Sequence, residues 1–286
     1  SEADAALGPR RTTPPEGAML KRILILLDET PSSAAARHYA FRLAQRMNAG
    51  ITALAGVDLP FIEAPLVGAV EGVLKKQIED SRKRLRDAYE RECQICAIPF
   101  EWLTFNGDPI TILSEAAETR DLIVTGHDTA FRLDLNEKLS EFLSKLLQIT
   151  PRPVIVCPEE RASGEAILIA YDGSVPSMRA IQIFALLGIG RGQPVYVATV
   201  DACSETAARR ASGAAAYLRT HGYEAQACPT ASAVQPAEVL RLEAASRQAG
   251  TLVMGAYGSR GFREFLFGST TSALVERPPC PLFVYH

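Results

Sequence analysis

Residues 251–271 combine the residue types that bind phosphate in proteins. They read as an apolar strand that ends at Gly255, a loop rich in glycine, and Gly-Ser-Thr-Thr at residues 268–271, where a helix is predicted to begin. Glycine lets main-chain N–H groups approach an anion closely, and the first N–H groups of a helix lack internal partners and lie at its positive end. The spacing therefore predicts a phosphate-binding loop.

Two common phosphate motifs do not fit this segment. The Walker motif places a lysine after its last glycine, whereas Gly268 is followed by Ser269 and no lysine is nearby. A dinucleotide fingerprint has the pattern Gly-x-Gly-x-x-Gly and an acidic residue at the end of the next strand. The next predicted strand here is Leu-Phe-Val-Tyr at residues 282–285, without such an acid.

The spacing Gly255-x2-Gly258-x9-Gly268-Ser269 resembles the nucleotide-binding signature of the universal stress protein family. In that family the second glycine stretch and its Ser or Thr hold the phosphates of ATP. The resemblance implies that this chain binds ATP or ADP, with Mg²⁺ held through the nucleotide phosphates. It implies no catalytic residue and no direct protein ligand to a metal.

One pattern of strands and helices occurs twice along the chain. Each copy reads as an apolar strand that ends at an aspartate, a helix, a second strand, a long charged helix, a short strand, a further helix, an apolar strand that ends at a glycine, and a last strand introduced by proline. The corresponding landmarks are Asp28 and Asp172, Gly126 and Gly255, and Pro153 and Pro281. The first copy is longer, and we assign its extra residues to the Pro- and Gly-containing stretch 58–72.

Strands that alternate with helices predict an α/β fold with parallel sheets covered on both faces. We expect a flexible N-terminal extension over residues 1–18, which lacks the apolar segment of a signal peptide, a first domain over residues 19–160 and a second over residues 165–286. The resemblance implies two tandem Rossmann-like domains of the adenine nucleotide alpha hydrolase-like type. Each would have a five-stranded parallel sheet of order 3-2-1-4-5.

In an open parallel sheet, ligands bind beyond the carboxyl ends of the strands where the strand order reverses. In the second copy this point brings Asp172 and Gly255 together. Each residue has a plainer explanation, because Asp172 and Ser269 are both good helix caps. Single caps do not account for the whole glycine spacing, so we favour nucleotide binding.

The resemblance also implies a role for each site residue. Asp172 would lie beside the adenosine, the strand end near Thr199 would present main-chain groups to adenine, and the two loop glycines would let the chain bend around the ribose and phosphates. Tyr257 reads as a lid or a surface aromatic, and Arg263 as a second loop cation. The expected nucleotide-contacting residues are Ala170, Asp172, Thr199, Met254, Gly255, Gly258, Arg260, Gly268, Ser269 and Thr270.

The first copy departs from this pattern. Gly126 is followed by His-Asp-Thr, so the second glycine is missing, and Ser140-Glu141 stand where Gly268-Ser269 stand in the second copy. A carboxylate at that place would repel phosphate. We therefore expect a degenerate site in the first domain and one nucleotide site per chain, in the second domain.

Composition excludes several classes of protein. The 286 residues are 47% hydrophobic with a formal net charge of −3, which provides no basic field for nucleic acid. The apolar runs have the length of strands rather than the roughly 20 residues that span a membrane. Six scattered cysteines suit reduced thiols in the cytoplasm, and Cys93-x-x-Cys96 lacks a second ligand pair for zinc.

Three functions remain open. The first is a regulatory or sensor protein of the stress response whose nucleotide occupancy is the signal. The second is a slow ATPase, although no His or Glu is placed to orient an attacking water. The third is a nucleotide-free scaffold in which the proline-initiated strands at residues 153–157 and 281–285 pair with each other or with another copy in a homodimer. Any other protein partner is unknown.

Overall fold

The structure is a computed structural model that describes residues 17, 19–57, 68–106, 108–129, 131, 141–256 and 268–286. It divides into two compact units, which meet in the sequence between Thr150 and Pro151. Met19 and Leu20 are grouped with the second unit, where their main-chain N–H groups donate to the carbonyls of Leu186 and Leu187.

The first unit alternates strands and helices in the predicted order. Its elements are β1 Arg22–Leu27, α1 Pro31–Met47, β2 Gly50–Val57, α2 Gly68–Cys96, β3 Phe100–Asn106, α3 Pro109–Ala117, β4 Leu122–Gly126 and α4 Glu141–Ile149.

The second unit begins with one extra strand and then repeats the pattern. Its elements are β5 Val154–Cys157, β6 Ala166–Ala170, α5 Val175–Leu187, β7 Val195–Asp201, α6 Ser204–Thr220, β8 Ala225–Ala231, α7 Pro236–Ser246, β9 Ala249–Gly255, α8 Ser269–Glu276 and β10 Leu282–Tyr285.

The predicted α/β fold is confirmed in both units. The strands of the first unit follow the order β3-β2-β1-β4 and pair in parallel. In the second unit the order β8-β7-β6-β9-β10 is the expected 3-2-1-4-5 arrangement, again parallel throughout. In each unit the order therefore reverses between its first and fourth strands, β1 and β4 or β6 and β9.

Strand β5 is the last strand of the first sequence repeat, but its contacts place it in the second unit. There it pairs antiparallel with β10, and Ile155 lies opposite Phe283. The pairing of the two proline-initiated strands, which the sequence suggests, is thus present within the chain. It makes the sheet of the second unit one strand wider than the expected five.

Three of the described helices begin where the sequence supplies a capping side chain. Thr30 caps α1 and Ser174 caps α5, each accepting from the main-chain N–H three residues later, and Asp108 caps α3 through two N–H groups. The central strands are mostly apolar on both faces, as in β4, which is buried along its whole length. The apolar strands and the capping residues agree, which explains why the sequence pattern predicts these helices and strands well.

Cys93 and Cys96 lie in the last turns of α2 and are both buried. Burial raises the pKa of the Cys93 thiol to about 12 and also raises that of Cys96, which disfavours the thiolate form of both. In the described ranges, no cluster of three or more His, Cys, Asp or Glu side chains could hold a metal. The described helices also include none with the length and apolarity needed to cross a membrane.

In both units the fourth strand ends against the start of the first helix without room for a side chain. A Cβ atom on Gly126 would lie 2.8 Å from the main-chain nitrogen of Ser33, which is far inside van der Waals contact. A glycine is therefore required at this strand end by packing alone.

We expect Gly126→Ala to lower the free energy of unfolding by about 1–3 kcal/mol, because the added methyl group must displace main-chain atoms of α1. Gly213→Ala is the matched control, since Gly213 lies exposed within α6 and a Cβ there meets nothing within 4 Å. That control should be neutral or gain about 0.5–1 kcal/mol from helix propensity. Urea unfolding of both variants measures the difference, and equal stabilities would contradict the packing argument.

Candidate functional site

A pocket of about 260 Å³ lies at the carboxyl ends of β6, β7 and β9 in the second unit. The starts of three helices, α5, α7 and α8, contribute to its wall, so three positive helix ends surround it. This is the edge where the strand order reverses. The lining residues are Ala170, Tyr171, Asp172, Ser174, Ser177, Ala198, Val200, Pro236, Leu240, Met254, Gly255, Gly268, Ser269, Thr270 and Thr271.

The lining chemistry differs between the elements. The strands and α7 supply apolar side chains such as Val200, Leu240 and Met254, whereas the starts of α5 and α8 supply hydroxyl groups. A mainly apolar wall with a few convergent polar groups is typical of small-molecule sites. The combination suits a ligand with one flat apolar part and one anionic part.

Asp172 follows β6 at the rim of the pocket and is exposed. Its carboxylate accepts a hydrogen bond of 2.9 Å from the Ser174 N–H, while Ser174, not Asp172, provides the side-chain cap of α5. Burial of part of the carboxyl group raises its pKa, but hydrogen bonds from Ser174 and Ser177 outweigh this, and the pKa lies below its ordinary value. Asp172 is therefore ionised at neutral pH and can accept hydrogen bonds from ligand hydroxyls.

Within the described residues, the start of helix α8 presents main-chain donors without a helical acceptor to the pocket. Gly268 is its N-cap residue and provides no side-chain cap, and the first bond of the helical pattern runs from the Ser272 N–H to the Gly268 carbonyl at 3.0 Å. The N–H groups of Ser269, Thr270 and Thr271 precede that bond and have no helical acceptor. All three residues line the pocket, so hydroxyl and N–H donors converge at the positive end of the helix.

Gly255 has a role that the sequence interpretation did not assign. A Cβ atom on Gly255 would lie 2.5 Å from the main-chain nitrogen of Ser177 and 2.6 Å from the carbonyl carbon of Pro176. The missing side chain thus lets α5 begin directly against the end of β9. This contact explains why a glycine is needed at this position and places the start of α5 in the pocket wall.

Thr199 is buried and is not among the lining residues. Its hydroxyl donates a hydrogen bond of 2.7 Å to the Tyr171 carbonyl, behind the pocket, while its neighbours Ala198 and Val200 form part of the wall. Successive side chains of a strand point to opposite faces of the sheet. The sequence does not show whether Thr199 or its neighbours face the pocket, because this depends on the register of β7 in the sheet.

Val200 is the residue that the sequence interpretation missed. The Tyr171 N–H donates to the Ala198 carbonyl at 2.9 Å, which shows that the main-chain groups of Ala198 face β6. Val200 lies two residues further and faces the same side, but β6 has ended at Ala170. Within the described chain, the Val200 N–H and C=O therefore have no strand partner on the pocket side.

Seven of the ten predicted contact residues line the pocket, and an eighth, Thr199, lies next to the lining residues Ala198 and Val200 in β7. Ala170, Asp172, Met254 and Gly255 line the pocket together with Gly268, the N-cap residue of α8, and with Ser269 and Thr270 in its first turn. Thr199 donates to the carbonyl of Tyr171, which is itself a lining residue. The remaining two, Gly258 and Arg260, lie outside the described residues, as do Tyr257 and Arg263.

At the corresponding edge of the first unit, polar side chains bond to one another. The Ser32 hydroxyl donates to the Asp128 carboxylate, and the Thr129 hydroxyl accepts from the Gly126 N–H at 3.2 Å. Asp28 accepts from the N–H and the hydroxyl of Thr30 at 3.1 and 2.6 Å. The chain after β4 thus folds back onto the start of α1.

Two further residues of the first unit bear on its predicted degeneracy. Glu141 is the first residue of α4 as Ser269 is the first residue of α8, while Ser140 lies outside the described residues. His127 has a buried Nδ1 atom without a hydrogen-bond partner in the described part of the chain.

Comparison with known proteins identifies the family of the chain. The model of the universal stress protein family matches residues 19–158 and again residues 165–286. The universal stress protein Slr1230 from Synechocystis sp. is 22% identical over 167 residues, and the match covers 58% of each of the two chains. The chain therefore spans somewhat more than half the length of this curated relative.

Two solved structures share the fold over nearly the whole chain. A universal stress protein from Archaeoglobus fulgidus gives a TM-score of 0.71 at 17% identity and covers 92% of this chain and 97% of its own. A protein of Pseudomonas aeruginosa PAO1, described as functionally unknown, gives a TM-score of 0.55 at 16% identity and covers 93% of this chain and 92% of its own. Because the family pattern matches both halves, the chain belongs to the universal stress protein family as a tandem member.

Proposed function

We propose that the second unit binds an adenine nucleotide, ATP or ADP, and that the protein acts as a regulatory or sensor protein of the stress response. The observation that carries the proposal is the start of α8, where hydroxyls and N–H groups without a helical acceptor converge on a pocket with an apolar wall. The first unit, with its internally bonded polar groups, is proposed to bind no nucleotide.

The phosphates fit the start of α8. The N–H groups of Ser269, Thr270 and Thr271 and their hydroxyls can donate to phosphate oxygens, and the helix dipole favours negative charge there. Because the described residues offer no cluster of metal ligands, Mg²⁺ would be held by the phosphates themselves.

The base fits the apolar wall beside Val200. A free main-chain N–H next to a free C=O can donate to N1 of adenine and accept from its 6-amino group. Guanine and hypoxanthine carry O6 and N1–H instead, so both hydrogen bonds would meet the wrong partner. The ionised Asp172 would accept from ribose hydroxyls, which keeps its charge away from the phosphates.

Hydrolysis is the second candidate function and has less support. Catalysis of phosphoryl transfer needs a group that orients water and a cation that stabilises the developing charge. The described lining residues include no Lys, Arg, His or Glu, and the single carboxylate, Asp172, is already held by Ser174. A role as a nucleotide-free scaffold would leave the donors of α8 unexplained.

The setting that we propose is the cytoplasm. All six cysteines are free thiols, and three of them, Cys93, Cys157 and Cys280, are almost completely buried, which suits a reducing compartment. Nucleotide occupancy would be read by an unidentified protein partner.

We expect Ser269→Glu to weaken binding of Mg-ATP by about a hundredfold or more, because it removes a charge-assisted donor and puts a carboxylate at the phosphate position. Ser272→Glu is the matched control, since Ser272 lies exposed in the same helix and outside the pocket lining. Isothermal titration calorimetry measures both, with circular dichroism as the check of folding. Equal affinity in a folded Ser269→Glu variant would mean that the phosphates bind elsewhere.

We expect the unmodified protein to bind ATP about 10- to 100-fold more tightly than ITP or GTP, because the Val200 main chain is complementary to adenine alone. ITP is the sharpest comparison, since it differs from ATP only at position 6 of the purine. Competition of each nucleotide against a fluorescent ATP analogue gives the ratio. If ITP competes as well as ATP, the main-chain groups of Val200 do not recognise the base.

A further inference from the structure

The registers of the two sheets show which residue of the first unit corresponds to Val200 of the pocket. In each unit, the residue two places before the aspartate that follows the first strand pairs with a residue of the second strand. This partner is Leu54 in the first unit and Ala198 in the second. Two residues further along, Gly56 of β2 therefore corresponds to Val200 of β7. Gly56 marks the place in the first unit where the second unit would hold the base.

A phenylalanine ring covers Gly56. Phe105 of β3 pairs with Gly56, and a Cβ atom on this glycine would lie 2.2 Å from two ring carbons of Phe105. The ring therefore lies directly on the glycine and fills the space on that face of β2. In the second unit Val200 pairs with Thr230, so a much smaller side chain stands at the position of Phe105.

Two further phenylalanines continue from Phe105 toward the start of α4. The ring of Phe131, which follows β4 in the chain, packs edge to face on Phe105 at a centroid distance of 5.0 Å and on Phe142 at 5.3 Å. All three residues are buried, with at most 6% exposed. Phe142 is the second residue of α4, as Thr270 in the pocket lining is the second residue of α8. The rings thus extend from the place of Val200 to the place of Thr270.

Phe131 keeps its position at a cost to the main chain. Its φ angle is +57°, in the left-handed region that side chains other than those of glycine and asparagine rarely adopt. A residue remains in such a conformation when its surroundings hold it there. The surroundings of Phe131 are the two rings on either side, which indicates that packing of the aromatic side chain determines the conformation of the main chain.

We propose that Phe105, Phe131 and Phe142 form an aromatic plug, which occupies in the first unit the place of the nucleotide base. The proposal rests on the position proposed for the base in the second unit, beside Val200. It goes beyond the polar groups of the first unit, because the bond between Ser32 and Asp128 opposes only the phosphates. The plug also excludes a nucleoside that has no phosphate. The first unit is then filled by its own side chains, and nucleotide occupancy changes the second unit alone.

Equilibrium dialysis with radiolabelled adenosine tests the plug, because adenosine has no phosphate for Asp128 to repel. We expect the double variant Phe131→Gly/Phe142→Thr to bind one more adenosine per chain than the unmodified protein. The double variant removes about as many side-chain atoms as adenine contains, which opens a cavity with space for the base. Glycine also suits the left-handed main chain at position 131.

The double variant Phe41→Ala/Phe100→Thr is the matched control. Phe41 and Phe100 both pack on Tyr89, at centroid distances of 5.8 and 5.7 Å. Side chains alternate along β3, so Phe100 and Phe105 lie on opposite faces of the sheet. The control therefore removes a similar number of aromatic atoms away from the plug, and we expect it to gain no adenosine site.

The gain is counted against the unmodified protein, which separates the two proposals. If the unmodified protein binds no adenine nucleotide, the proposed function is contradicted, while an extra adenosine site in the plug variant still supports the plug. Circular dichroism checks the folding of each variant. If the double variant fails to fold, Phe131→Gly alone replaces it, with Phe41→Ala as its control and 4-aminopyrimidine, the six-membered half of adenine, as the probe.

Two results would overturn the plug. The first is a folded plug variant that binds no more of the probe than the unmodified protein, because the rings would then not occupy a place that the base can take. The second is an equal gain in the control variant, since the probe would then enter any cavity in the first unit.

Discussion

A strand end and a helix start meet in each unit with no space for a side chain between them. In the second unit this contact joins Gly255 to the main chain of Pro176 and Ser177, and in the first it joins Gly126 to that of Ser32 and Ser33. It holds the start of the first helix beside the carboxyl end of the fourth strand. The geometry of the pocket depends on this contact, because the aspartate, the cap of α5 and the start of α8 all lie around it.

The same frame leads to different chemistry in the two units. In the second unit, the starts of α5 and α8 face a pocket lined by hydroxyl groups. In the first, Asp128 takes the hydroxyl of Ser32, and Thr129 takes the N–H of Gly126. The carboxylate of Asp128 therefore accepts a hydrogen bond at the start of α1, where a bound anion would otherwise be favoured. The two units thus differ in a few side chains that follow the strand-ending glycine, although their strands have the same order.

Much of the fold could be predicted from the sequence because several independent signals agree. Apolar strands, capping residues such as Thr30 and Ser174, and the repeat itself all indicate the same elements. The glycine and serine spacing also located the pocket. The sequence could not predict which residues of β7 face the pocket, since Thr199 and Val200 are both good strand residues. Only the position where β6 ends shows which main-chain groups of β7 lack a strand partner on that side. The packing role of Gly255 was likewise hidden, because it depends on a helix far away in the sequence.

We propose that the chain binds one adenine nucleotide, in its second unit. Calorimetric titration of the nucleotide-free protein with Mg-ATP tests it most directly, because the stoichiometry counts the sites. We expect a stoichiometry of one nucleotide per chain. Two per chain would show that the first unit also binds despite its internal hydrogen bonds, and no binding would remove the pocket at α8 as a nucleotide site.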